Sequence, residues 1–227
     1  MNVKVIVFDL DDTLYDEIEF VKSGFYVVSK YFANKYNLQI SDIYNLFVEE
    51  LNKNGRGKIF DEVFNQLNIF TKYNISKALN IYRTHSPKIS LPFESIQILN
   101  YLKSNNIPLY IVTDGNKIVQ NNKIEALDLR KYIKKDFITH RFGKKYAKPS
   151  TYCFEKIAKL EKKDFKDIVY IADNPNKDFV NIKKLGFRTI RLKKGMFIDL
   201  IKTEDFEAEF TIKNLFELKN IIVLQKN

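Results

Sequence analysis

The chain has 227 residues, of which 45% are hydrophobic and 14% aromatic, enough for one large domain or for a core domain with a smaller insertion. Its apolar runs are short and its N-terminus lacks the pattern of a signal peptide, so we expect no membrane span and a cytoplasmic location. The single cysteine, Cys153, excludes an internal disulfide and a cysteine-rich zinc site.

The chain is basic, with 38 Lys and Arg against 28 Asp and Glu and a net charge of +10. The basic residues are spread along the sequence, and no basic arm or zinc finger accompanies them. This distribution favours a solvated, lysine-rich surface, and after it a small anionic substrate. Nucleic acid is not an expected partner.

The first predicted element is a buried strand that is followed directly by aspartates. Residues 5–8 are apolar, and Asp9, Asp11 and Asp12 follow at once. In an open α/β sheet, ligands bind at the carboxyl ends of the strands. Carboxylates this close repel one another unless a cation or a proton separates them. A solvated, Asp-rich turn is the alternative if the motif stands alone.

A helical segment comes next. Apolar residues recur at helical spacing in four stretches, which predicts a small helical bundle over residues 17–88. The stretch Gly55-Arg56-Gly57-Lys58 interrupts the pattern between the second and third helices. The guanidinium of Arg56 is planar and has several donors, which suits binding of a substrate. The alternative is that Arg56 lies in a solvated basic turn.

Strands and helices then alternate. The predicted strands cover residues 108–113, 136–139, 167–172 and 187–192, the predicted helices 94–104, 118–127, 151–160 and 179–185, and the tail adds a strand at 210–212 and a last helix. This alternation predicts an α/β fold with a doubly wound, parallel, Rossmann-like sheet. Residues 1–16 and 89–227 would form that core around the inserted helical bundle.

Further reactive side chains lie where the later strands end or just before a helix. They are Thr113, Asp114, Asp173, Asn174 and Asp178, together with Lys148 in front of a proline. Each alone suits a helix cap, a strand end or the protein surface. Together they indicate one site at the carboxyl edge of the sheet.

These motifs, in this order, resemble the haloacid dehalogenase-like superfamily, in its subclass with a helical cap. The resemblance implies a Mg²⁺-dependent phosphatase that hydrolyses a small phosphomonoester, such as a sugar phosphate or a nucleotide, through an aspartyl-phosphate. It also implies that residues 17–88 form the cap domain. The expected partner is a small phosphorylated metabolite, and no membrane partner is expected. The protein is expected to be a monomer or a homodimer.

The resemblance also implies a role for each matching residue. Asp9 would be the nucleophile, Asp11 the general acid and base, and Lys148 the catalytic cation. The phosphate would be bound by Lys148, by Thr113 and by the main-chain amides of Leu10 and Asp114. The Asp9 and Asp173 carboxylates and the Asp11 carbonyl would hold Mg²⁺, supported by Thr13, Asn174 and Asp178.

One departure is Asp114, where many relatives have asparagine; its side chain is expected to point away from the phosphate. Two other functions remain open. A phosphomutase would share the core motifs and spare the aspartyl-phosphate from water, and a basic binding protein would lack catalysis altogether.

Overall fold

The computed structural model describes residues 1–223 of the chain. They form two compact units. The first contains Met1–Glu17 and the chain from Ser90 onward, and the second is Ile18–Ile89. Among the described residues, no helix combines the length and the apolar composition needed to cross a membrane.

The first unit is built on a six-stranded parallel sheet. Its strands are β1 Val5–Phe8, β2 Leu109–Thr113, β3 Lys135–Ile138, β4 Ile168–Ala172, β5 Arg188–Leu192 and β6 Phe210–Ile212, in the spatial order β3-β2-β1-β4-β5-β6. The strands β1, β2 and β4 are buried at every position. This is why they read as continuous apolar runs, as strands covered on both faces do. The predicted α/β fold with a parallel sheet is confirmed.

The helices divide between the two units. They are α1 Glu17–Tyr36, α2 Ile40–Asn54, α3 Ile59–Gln66 and α4 Lys72–Thr84 in the helical segment, and α5 Phe93–Ser104, α6 Lys117–Ala126, α7 Tyr152–Glu161, α8 Val180–Lys184 and α9 Leu218–Ile221 around the sheet. The helical unit has its own aromatic core, in which Phe25 stacks on Phe47 with ring centroids 5.0 Å apart.

The sheet unit has a separate core against α7. Val5 and Val7 of β1 and Tyr170 of β4 share this core with Cys153 and Phe154. Cys153 is therefore a buried packing residue of this core. Because the central strands are fixed on both faces, their carboxyl ends give the residues that follow them a rigid base.

Candidate active site

The predicted site residues of the sheet unit follow three neighbouring strands. Asp9 comes directly after β1, Thr113 ends β2, and Asp173 comes directly after β4. Since β1 pairs with both β2 and β4, these residues meet at one edge of the sheet. The Asp9 N–H donates to the Ile171 carbonyl at 2.9 Å, which extends the strand pairing up to the first carboxylate.

Three carboxylates and one lysine form the buried centre of the site. Oxygen atoms of Asp9, Asp173 and Asp178 lie within 4.8 Å of one another. The Lys148 ammonium is 3.0 Å from Asp9 Oδ1 and 2.7 Å from Asp178 Oδ1. It also donates to the Tyr170 hydroxyl at 2.8 Å. One ammonium among three carboxylates leaves the cluster with an excess of negative charge.

Burial and the neighbouring charges shift the pKa values of two of these carboxyls. Burial raises the pKa of Asp9 to about 7, and the negative charge of Asp178 adds to the effect while Lys148 opposes it. Burial, together with the charges of Asp9 and Asp178, raises the pKa of Asp173 to about 8. Within the described part of the chain, Asp9 Oδ1 makes no aligned hydrogen bond. These oxygens therefore suit a hard divalent cation, which would favour their ionised forms.

Around this centre lies a cavity of about 170 Å³. Its lining within the sheet unit is Asp9, Asp11, Asp12, Glu17, Thr113, Asp114, Asp173, Asn174, Lys177 and Phe197. At about 30 Å³ per water molecule, it has room for about six waters or for a phosphate group. The lining is mostly acidic, so an anionic group requires cations beside it.

Thr113 and Asp11 share one hydrogen-bond donor from α6. The Gln120 side-chain amide donates to Thr113 Oγ1 at 2.6 Å and to Asp11 Oδ2 at 2.8 Å. Because the Thr113 oxygen accepts this bond, its own O–H is the donor that Thr113 can offer to a ligand in the cavity.

Asp11 accepts from two further donors. The Tyr15 hydroxyl donates to Asp11 Oδ1 at 2.6 Å, and the Lys123 ammonium reaches the same oxygen at 2.7 Å. Burial acts to raise the pKa of Asp11, but Lys123 and the hydrogen bonds from Tyr15 and Gln120 outweigh it and lower that pKa.

The Asp114 carboxylate borders the cavity, and both of its oxygens have hydrogen-bond or ion-pair partners within the protein. Oδ1 accepts from the Thr139 hydroxyl at 2.7 Å and from the Lys148 N–H at 3.1 Å, and Oδ2 pairs with the Lys177 ammonium at 3.0 Å. Burial opposes ionisation here, but Lys148 and Lys177 hold the pKa of Asp114 below its ordinary value. The negative charge of Asp114 is thus compensated in place by Lys177.

Of the remaining predicted residues, Thr13, Asn174 and Leu10 lie in the sheet unit, and Arg56 lies in the helical unit. Thr13 is buried, and the Asn174 N–H donates to Asp178 Oδ2 at 3.0 Å. Leu10 is buried directly after Asp9. Arg56 is exposed in the helical unit, in the turn between α2 and α3, and its binding role stays a prediction.

Sequence reasoning missed Tyr15, Gln120, Lys123, Lys177 and Phe197. Gln120 and Lys123 are three positions apart on α6, so they share a helix face, and both are buried. A polar pair on the inner face of a helix directly after a motif strand is the signal that could have pointed to them. Lys177 lies inside the Asp173–Asp178 motif, where its partner Asp114 is not apparent from spacing.

Gly195 contacts the first motif from the other side. It has φ +63°, and a Cβ atom there would lie 2.4 Å from the Cγ atom of Asp12. Asp12 is itself in the left-handed region at φ 52°, and its Oδ1 accepts from the Glu17 N–H at 2.9 Å. The Asp12 side chain therefore requires a residue without a side chain opposite it.

Gly195→Ala should lower the thermal denaturation midpoint more than Gly186→Ala does. Both glycines have positive φ, so alanine costs about 1 kcal/mol of backbone strain at either position. Gly186 has no atom within 4 Å of the added Cβ, whereas Gly195 meets Asp12. Equal midpoints for the two variants would show that the Asp12 contact yields without cost.

The comparisons with known proteins agree with this architecture. Residues 3–186 match the family described as haloacid dehalogenase-like hydrolase. The chain therefore belongs to the haloacid dehalogenase-like hydrolases, and the resemblance of its motifs is confirmed.

Among named relatives, the chain is similar to glyceraldehyde 3-phosphate phosphatase of Methanocaldococcus jannaschii, at 29% identity over 97% of each chain. The Pyrococcus furiosus protein of the same name is 26% identical over 97% of this chain and 93% of its own.

Solved structures share the fold. A HAD phosphatase from Thermococcus onnurineus superposes with a TM-score of 0.63 at 19% identity, covering 99% of this chain and all of its own (100%). The HAD-hydrolase YfnB from Bacillus subtilis, described as bound to magnesium, gives a TM-score of 0.66 at 15% identity over 97% of this chain and 99% of its own.

Proposed function

We propose that this chain is a Mg²⁺-dependent phosphatase that hydrolyses a small phosphomonoester through an aspartyl-phosphate on Asp9. The observation that carries the proposal is the buried group of Asp9, Asp173 and Asp178 around Lys148, at the carboxyl ends of adjacent strands. Relatives aligned over 97% of the chain are named phosphatases, which supports a phosphoric monoester hydrolase.

Glyceraldehyde 3-phosphate is the first substrate to test. Four relatives from four different organisms carry that activity in their names, at 21% to 29% identity. A cavity of about 170 Å³ on the sheet unit suits a phosphate group, and the rest of a small substrate would extend beyond it. The helical unit would act as the cap that selects this remainder.

The metal would be held by the Asp9 and Asp173 carboxylates and by the main-chain carbonyl of Asp11. This set consists of oxygen atoms, which Mg²⁺ prefers. The raised pKa values of Asp9 and Asp173 support a cation here, because burial disfavours their ionised forms and a bound cation would stabilise them. When bound, the cation would offset the repulsion between the nucleophile and the phosphate. Asp178 instead pairs with Lys148 and would hold it in place.

The chemistry of the chain's own residues then follows in two halves. In the first, an Asp9 oxygen bonds to phosphorus while the ester P–O bond breaks, and the leaving oxygen takes a proton from Asp11. Asp11 must carry that proton before the step, and the negative charge of a bound phosphate would oppose the lowering of its pKa by Lys123, Tyr15 and Gln120. In the second, Asp11 takes a proton from water as that water attacks phosphorus. The bond from phosphorus to Asp9 then breaks, inorganic phosphate leaves, and Asp11 is again protonated.

The phosphate oxygens would be bound by donors on β2 and its surroundings. Thr113 supplies its O–H, Lys148 its ammonium, and Leu10 and Asp114 their main-chain amides. Donors fixed on strand ends stabilise the charge that develops on these oxygens without reorganising. Thr13 would support the loop after β1, and Asn174 the loop after β4, without contacting the phosphate themselves.

The proposal is tested by phosphate release from a panel of phosphomonoesters with purified protein and Mg²⁺. We expect turnover of several small substrates, with glyceraldehyde 3-phosphate among the best. Activity that appears only with a bisphosphate primer and transfers phosphate without releasing it would instead establish a phosphomutase. No turnover of any panel member, combined with salt-sensitive DNA binding, would favour a binding protein.

Arg56→Ala should lower kcat/KM for the best substrate by about tenfold, equivalent to about 1.4 kcal/mol, if Arg56 binds the substrate beyond its phosphate. Hydrolysis of p-nitrophenyl phosphate should barely change, because its leaving group offers no partner for a guanidinium. Lys53→Ala removes a nearby exposed cation, in the last turn of α2, and serves as the matched control. Equal effects of Arg56→Ala on both substrates, or none on either, would return Arg56 to the solvated surface.

A further inference from the structure

Lys123 is a buried cation that the catalytic scheme above does not use. Its side chain is 2% exposed, and it lies on α6, outside the motifs described above. Its ammonium is 2.7 Å from Asp11 Oδ1 and 3.3 Å from Glu17 Oε1. Burying a lysine is costly, and an apolar side chain of similar volume often serves stability as well or better. A buried ion pair at this position therefore suggests a role other than stability.

The contacts of Asp11 suggest what that role is. Both oxygens of its carboxylate accept hydrogen bonds, from donors on three separate side chains: Tyr15 and Lys123 on Oδ1, and Gln120 on Oδ2. Tyr15 comes from the loop after β1, and the other two come from α6. Donors on both oxygens hold the carboxylate plane as well as its position.

We propose that Lys123 is a positioning residue that fixes the orientation of the Asp11 carboxylate for proton transfer. This inference rests on the proposed function, in which Asp11 exchanges protons with the leaving oxygen and with water. Proton transfer requires a heavy-atom approach of about 3 Å, so a small rotation of the carboxylate is enough to slow it. Of the three side chains that donate to Asp11, Lys123 is the charged one. Its ammonium also pairs with Glu17, which keeps the ammonium itself in place.

The first test is Lys123→Met, which keeps most of the volume and removes the ammonium. We expect kcat to fall by about 10- to 100-fold, while KM and inhibition by inorganic phosphate change less than about twofold. Lys194→Met is the matched control, since Lys194 pairs with Asp16 and Glu94 but does not line the cavity. The control should keep the wild-type kcat. A rise in kcat for Lys123→Met, or a loss confined to KM, would overturn the proposal.

A double-mutant cycle separates positioning from a general structural effect. If Lys123 acts through Asp11, adding Lys123→Met to Asp11→Asn should leave the residual rate of Asp11→Asn unchanged. A second full loss in the double variant would show that Lys123 acts on the site by another route. If Asp11→Asn alone keeps wild-type activity, the proposed function fails, whatever Lys123→Met does.

Tyr15→Phe keeps the test decisive if Lys123→Met does not fold. It removes one hydroxyl that donates to the same Asp11 oxygen and leaves the ring in place. The expected pattern is again a lower kcat with little change in KM, and no further effect in the Asp11→Asn background. Wild-type kcat in Tyr15→Phe, with Lys123→Met unfolded, would count against an oriented Asp11.

Discussion

Asp9→Asn is expected to reduce phosphatase activity by at least about 10³-fold while leaving the fold intact. The amide has nearly the same size as the carboxylate but cannot attack phosphorus. It also removes one negative charge from a buried cluster that has too many, so the variant should denature at the same temperature as the wild type or higher. Steady-state hydrolysis and a thermal scan measure the two quantities.

The matched control for Asp9→Asn is Asp167→Asn. Asp167 lies directly before β4 and pairs with Lys4. Its substitution makes the same chemical change as Asp9→Asn, but away from the site. Acid quenching of the wild type with labelled substrate should trap phosphate on the protein, and Asp9→Asn should trap none. More than a tenth of wild-type turnover in Asp9→Asn, or a trapped phosphate in it, would remove Asp9 as the nucleophile.

Removal of divalent metal is expected to abolish activity, and Mg²⁺ should restore it. Without a cation, the carboxylates of Asp9 and Asp173 remain partly protonated near neutral pH, since their pKa values are about 7 and 8. Such an Asp9 is a poor nucleophile. Chelation followed by titration with Mg²⁺ measures the requirement, and full activity in excess chelator would contradict the mechanism.

The same pKa values predict how the metal requirement depends on pH. Cation binding needs the ionised carboxylates, so it displaces protons from them. As the pH rises from about 6 to 8, fewer protons compete and the Mg²⁺ concentration for half-maximal activity should fall. Asp173→Ala should raise that concentration steeply at every pH. Zn²⁺ should substitute poorly, because the cluster offers oxygen ligands only.

The sequence predicts the fold and the centre of the site for a simple physical reason. Each motif strand is buried on both faces, so the change from apolar to polar residues at Asp9, Thr113 and Asp173 marks a strand end. In a parallel sheet those ends lie on one edge, so the spacing of the motifs is enough to bring them together.

The partners of those residues are less accessible to sequence reasoning. Lys123 reaches Asp11 only because the buried face of α6 lies beside the loop after β1, and Lys177 reaches Asp114 only through the loop after β4. Neither contact follows a fixed spacing in the chain. Asp114 shows the consequence: the extra charge was visible in the sequence, but the lysine that compensates it was not.

The strand order has a consequence for how this protein acquires activity. Asp9 lies near the start of the chain and Asp173 far along it, yet β1 and β4 are hydrogen-bonded neighbours. Between them, the chain must first complete the helical unit and two further strands. Pairings between segments so distant in sequence close large loops and form slowly. The catalytic cluster therefore cannot assemble during early local folding, and a nascent chain would contain no competent centre until β4 has been added beside β1.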